Sequence, residues 1–103
     1  MTRERLSSRR PALTFDLEVG GLRYTATVGR FADGRLAEIF LTNHKAGSQA
    51  DANARNAAVV CSLALQHGAP LDTIRRALLR DARGNAETPL CAALDFVSKE
   101  STP

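Results

Sequence analysis

No stretch of this sequence approaches the roughly 18 consecutive apolar residues that a membrane-spanning helix needs, which argues against a membrane protein. The N-terminus lacks an apolar h-region, so it does not read as a secretory signal, and it contains Glu4, which a transit peptide tends to avoid. Cysteine is scarce. Cys61 and Cys91 stand thirty positions apart, each in a run of small apolar residues, and no CxxC pair occurs. A small secreted scaffold carries more cysteines at staple-like spacings, so both are expected as buried thiols in a cytoplasmic protein. A Walker loop, GxGxxG, GxSxG and HExxH are all missing. His44 and His67 lack the carboxylate or thiol spacing of a metal site, so neither a metal nor a cofactor is expected. His67, beside Gly68, reads as a last-turn residue favoured by the helix dipole. Together these gaps argue against an enzyme acting by itself. The enzymatic alternative is one built on His44 or a cysteine.

What is present is 103 residues, 44% hydrophobic and 24% charged, with a formal net charge of +3. That length supports one domain with one modest core. The charge is unevenly placed. Arg3, Arg5, Arg9 and Arg10 oppose only Glu4 within residues 1–11, whereas the ten basic and ten acidic groups of residues 12–103 cancel. The excess lies in a polar tail closed by Pro11, expected to be disordered, and the neutral body argues against a nucleic-acid groove. A phosphate-contacting arm is the alternative for the tail.

Leu13, Phe15, Leu17 and Val19 alternate with polar residues, the period of a strand with one buried face. Gly20-Gly21 supplies a two-residue turn, and Leu22, Tyr24, Ala26 and Val28 resume the apolar face. Asp33-Gly34 reads as a second turn of the same type, leading to a strand at about 35–42 with Ala37, Ile39 and Leu41 toward the core. That register leaves Phe31, Leu36 and Phe40 on the opposite face, where they would need a cover. They form a candidate partner or homodimer interface. The alternatives are a terminal segment packed there, or a bulge that resets the parity.

The second half reads as helical. Ser48, three positions before Asp51, resembles a capping box, and Gly68 is a natural stop, predicting a long central helix over 49–67. Ala50, Ala54, Ala57, Cys61, Ala64 and Leu65 form a broad stripe, and Ala52, Val59 and Leu63 a narrower one, so cover on two sides is expected. Pro70 opens a shorter helix burying Leu71, Ile74, Ala77 and Leu78 and exposing Arg75, Arg76 and Arg80. Those three arginines form a candidate basic surface. With the tail they make the alternative function, a small nucleic-acid-binding module, although Asp72 and Asp81 nearby favour a solvated ion-pair face. Thr88-Pro89 starts a last helix with Leu90, Ala93, Leu94 and Val97 on one side. The class is α+β: a three-stranded antiparallel meander followed by a long central helix and two shorter helices, one domain over 12–99, with residues 100–103 frayed.

The turn Asn43-His44-Lys45-Ala46-Gly47-Ser48 runs from the third strand into the long helix. A helix N-terminus offers unpaired N–H groups and partial positive charge, and Gly47 lets the backbone approach a ligand. His44, Lys45, Gly47 and Ser48 are therefore a candidate site for a phosphate, a nucleotide or a carboxylate. A plain capped turn is the other account.

From Gly21 to about Val97 the chain resembles the TSCPD domain. The resemblance lies in Tyr24-Thr25-Ala26-Thr27-Val28, Asp33-Gly34-Arg35, Glu38-Ile39-Phe40-Leu41, Lys45-Ala46-Gly47-Ser48 and the stretch from Leu63 to Leu71. That domain is carried at the C-terminal end of many adenosylcobalamin-dependent (class II) ribonucleotide reductases, and occurs also as short free-standing proteins. The resemblance implies an accessory or regulatory module acting through protein contacts, with a ribonucleotide reductase as an expected partner. The family's Thr-Ser-Cys-Pro-Asp signature is absent, its neighbourhood reading Glu87-Thr88-Pro89-Leu90-Cys91, so no role of the signature cysteine passes to Cys91. A reductase also needs a radical-carrying cysteine, a redox cysteine pair and a large barrel, for which this chain has no room.

Overall fold

Apolar alternation becomes strand wherever a turn lets the chain double back. In the computed structural model, which describes residues 2–7 and 12–100, β1 (Ala12–Val19), β2 (Leu22–Arg30) and β3 (Leu36–Asn43) form an antiparallel sheet in the order β1-β2-β3. Val19 pairs with Leu22 across Gly20 and Gly21, whose φ values of +60° and +78° suit a two-residue turn. The second connection differs from the expected one. Phe31 and Arg35 bracket a longer loop, the Phe31 amide donating to the Arg35 carbonyl at 2.8 Å, while Asp33 accepts from the Arg35 amide at 3.1 Å. Only Gly34 there has positive φ.

The register then slips by one residue. Gly29 pairs with Glu38 but Arg30 pairs with Leu36, so Ala37 is the extra residue of a bulge. Leu36 and Ala37 are accordingly both buried, at 5% and 0% exposure, and Phe31 is buried in the loop at 5%. The expectation that Phe31 and Leu36 face outward is corrected by this bulge. Only Phe40, at 55%, stands on the outer face as expected.

Three helices follow: α1 (Gln49–Gln66), α2 (Leu71–Ala77) and α3 (Pro89–Glu100). Ser48 caps α1, its Oγ accepting from the Asp51 amide at 3.1 Å. Thr88 Oγ1 accepts from the Cys91 amide at 3.3 Å, just ahead of Pro89 at the first helical position. The core joins Tyr24, Ala26, Val28, Ile39 and Leu41 of the sheet to Ala54, Ala58, Cys61 and Leu65 of α1 and Leu90, Ala93, Leu94 and Val97 of α3. α1 packs along β3 and α3 along β1.

Two helical expectations need correction. The narrow stripe of α1 is uncovered among the described residues, with Val59 56% and Leu63 41% exposed. Leu71, Ile74 and Leu78 pack against the core only partly buried, and Ala77, expected on the same face, is exposed. The N-terminal segment is also more engaged than a solvated tail. The Glu4 amide donates to the Gln66 carbonyl at 2.7 Å, Arg3 Nε donates to Gln66 Oε1, and the Arg35 guanidinium donates to both Glu4 carboxylate oxygens at 2.9 and 3.0 Å. Residues 1 and 8–11 of the expected tail, and 101–103 of the expected frayed end, lie outside the described residues. No helix among the described residues is long and apolar enough to cross a membrane.

Candidate functional site

The turn between β3 and α1 closes around a carboxylate of its own. Asp51 is 4% exposed. Its Oδ1 accepts the Asn43 amide at 2.9 Å, and its Oδ2 accepts the Gly47 amide at 3.4 Å and the Arg55 Nε–H at 3.0 Å. These donors, the Asn43 amide foremost, hold the Asp51 carboxyl below the usual carboxylate range. Asn43 Oδ1 accepts the Lys45 amide at 2.9 Å, and the Ser48 hydroxyl donates to the Lys45 carbonyl at 2.7 Å. The Gly47 amide that the sequence offers to a phosphate thus donates to Asp51. The positive end of the α1 dipole already faces a fixed negative charge.

His44 lies on the outer face of the sheet, its Nε2 3.1 Å from Thr25 Oγ1 and 4.0 Å from Asp16 Oδ1. The Thr25 hydroxyl donates to Asp16 at 2.8 Å. Its proton is directed to the carboxylate and not to the imidazole, the reverse of what a His-activated nucleophile requires. His44, Lys45, Gly47 and Ser48 share one turn, but the partners of His44, Gly47 and Ser48 lie on the sheet, within the turn and in the first turn of α1, and are not gathered about a single ligand position.

A polar face of α1 missed by the sequence reading lies against the outer edge of β3. Ser62 Oγ accepts the Ile39 amide at 2.9 Å and donates to the Ile39 carbonyl at 3.0 Å. Gln66 Nε2 donates to the Ala37 carbonyl at 3.0 Å, and Asp51 takes the Asn43 amide. Side chains thereby satisfy the edge groups that another strand would use. The signal was the spacing of Asp51, Ser62 and Gln66 along one helical face, which resembles an ordinary solvated stripe until the edge strand is placed beside it. Above this seam Phe40, Val59 and Leu63 join Arg3, Arg55 and Gln66 in lining a groove of about 400 Å³.

The three arginines of the candidate basic surface do not act alike. Arg75 Nε donates to Asp95 Oδ1 at 3.0 Å, and Arg80 donates to both Asp95 oxygens at 2.8 Å. Arg75 also reaches Asp72 and Ser98, each at 3.0 Å. Both side chains are 27% exposed, against the expectation of full exposure, because Asp95 draws them inward; Arg76 is exposed. The two cysteines are buried and unpaired with each other, and burial pushes the Cys61 thiol up to about 11 and the Cys91 thiol upward as well. Among the described residues no three His, Cys, Asp or Glu side chains cluster as metal ligands.

A family model for the TSCPD domain matches residues 3–97. The vitamin B12-dependent ribonucleotide reductase of Agrobacterium fabrum is 43% identical over 70 residues, which are 68% of this chain and 6% of that one. The enzyme of the same name from Bradyrhizobium diazoefficiens is 41% identical over 70 residues, again 68% and 6%. That from Streptantibioticus cattleyicolor is 35% identical over 71 residues, 69% of this chain and 12% of the relative. The chain thus spans a small fraction of the curated relatives it matches. No solved structure matches it significantly.

Proposed function

Because this chain belongs to the TSCPD domain family, we propose that it is an accessory module of ribonucleotide reduction that works through protein contact and carries out no chemistry alone. The supporting observation is the scale of the match: a segment that fills this chain is 6–12% of the similar reductases. In such proteins the segment accompanies an enzyme many times its size. The chemistry of this chain agrees with that role, since its thiols are buried with raised pKa and the Thr25–His44 contact has the hydroxyl proton directed to Asp16. A nucleotide stays outside the reading, because Asp51 holds the amide that would meet a phosphate.

The test uses a purified vitamin B12-dependent reductase from which the matching segment has been removed. Added back in trans, this chain is expected to bind the truncated enzyme and to change its turnover or its response to effectors. Ribonucleotide reduction by this chain alone, with cobalamin and reductant supplied, would overturn the proposal, and so would failure to bind any reductase tested.

A further inference from the structure

The two edges of the sheet are treated differently. Along β3, the side chains of Asp51, Ser62 and Gln66 satisfy the outward groups of Asn43, Ile39 and Ala37. Along β1 no strand pairs with the outer edge among the described residues. Because Ile39 points its amide and carbonyl away from β2, the alternation of an antiparallel ladder assigns Thr25 and Thr27 to β3 and Tyr24, Ala26 and Val28 to β1. The outward groups of β1 are therefore those of Ala12, Thr14, Asp16 and Glu18, all four residues exposed.

The inner margin of the same strand is apolar and unfinished. Leu13 is 40% exposed, Phe15, Leu17 and Val19 are only half-buried against the core, and Phe15 stacks at 4.2 Å on Phe96, itself 40% exposed. The outer face of β1 carries Asp16, which takes the Thr25 hydroxyl beside His44, and Glu18, which stands opposite Arg23 of β2. Both are exposed, and the strand itself has no basic residue, no proline and no bulge. One further strand would complete the ladder, cover the Leu13–Phe15–Phe96 margin from below and meet two carboxylates from above.

We propose that the outer edge of β1 is a docking edge for an extended segment of a partner protein, apolar at alternate positions and basic between them. In that pairing the basic side chains stand opposite Asp16 and Glu18, and the apolar ones extend the core beside Phe15 and Leu17. A second copy of this chain fits less well, since pairing β1 with β1 gathers four carboxylates on one face with no basic residue from either strand. The inference deepens the protein-contact function and rests on it. The peptide experiment can fail while a reductase still binds through the Phe40 groove, and reductase binding can fail while the peptide docks.

The probe is a capped peptide of alternating valine and lysine, titrated into the full 15N-labelled chain. Shifts and slowed amide exchange are expected at Thr14, Asp16 and Glu18, with a peptide of the same composition in blocks binding about tenfold more weakly. Thr14→Pro removes an outward N–H that no described strand uses, and is expected to abolish binding while the rest of the amide spectrum keeps its dispersion. Should that variant misfold, Asp16→Lys with Glu18→Lys serves instead, turning the preference about tenfold toward an alternating valine–glutamate peptide. Equal binding by the block peptide, shifts centred on Phe40, Val59 and Leu63, no shift at millimolar peptide, or a dimer of the chain paired through β1 would each overturn the proposal.

Discussion

Asp95 shows how much one side chain can carry. α2 has no fully buried residue, and Leu71, Ile74 and, just beyond it, Leu78 pack partly buried against the core. Its attachment to α3 runs through the Asp95 carboxylate, which accepts from Arg75 and twice from Arg80. These guanidinium groups, Arg80 foremost, hold the carboxyl below its usual range. A depressed carboxylate stabilises the fold above its unfolded pKa of about 3.9, and that contribution is lost as pH falls through the lower folded value. Asp95→Asn is expected to lower the unfolding free energy by about 2 kcal/mol at pH 7. The gap should begin to narrow below about pH 4 and close as pH falls through the lower folded value. Urea titrations at the two pH values measure it, and a gap independent of pH would mean that charge is not what holds α2. Cys61 gives the opposite kind of prediction. With its thiol near 11 and 3% exposed, it should resist alkylation at pH 8 in the folded chain and react readily in urea. Rapid labelling of the folded protein would place the thiol at the surface.

At the scale of elements, the seam between α1 and β3 combines fold and protection. Ser62→Ala leaves the Ile39 amide and carbonyl without their partner on a part-buried edge, and should cost about 1–3 kcal/mol in chemical denaturation. Val59→Lys, one turn away on the exposed stripe, should change stability by less than about 0.5 kcal/mol. If the two variants cost the same, the seam does not depend on Ser62. These elements also show what a sequence can and cannot reveal. Alternation from Leu13 to Val28 and the Gly20-Gly21 turn are local signals, and they predict β1 and β2 with the observed register. The bulge at Ala37 is hinted at only by the apolar Phe31 and Leu36 that strict alternation puts outward; choosing it over an interface depends on how Arg30 and Leu36 meet across the sheet. Ser48 is legible as the N-cap of α1, the half of a capping box that forms. That Asp51 also takes the Asn43 and Gly47 amides, filling the place read as an anion site, depends on where β3 ends relative to α1. Asp95 escaped notice for the same reason, its partners lying fifteen and twenty positions away.

For the molecule as a whole, charge separates a module that meets proteins from one that meets nucleic acid. The surplus of +3 belongs to residues 1–11, and in the body Arg75 and Arg80 are already matched to Asp95. Removing residues 1–11 breaks the half-exposed Glu4–Arg35 pair and the bonds of Arg3 and Glu4 to Gln66, and should cost about 1–3 kcal/mol. Binding to duplex DNA should change far more. If the four arginines of the tail supply all the phosphate contacts, the logarithm of the binding constant falls with the logarithm of salt at a slope no steeper than about −4, and the truncated chain shows a slope near zero. Fluorescence anisotropy at several salt concentrations reads both slopes. A truncated chain that kept the slope would show a cationic face on the body, with the exposed Arg76 and Arg83 its first suspects. A truncated chain that lost the slope yet still bound reductase would separate the tail from the protein-contact function, leaving the neutral body and its sheet edge to carry it.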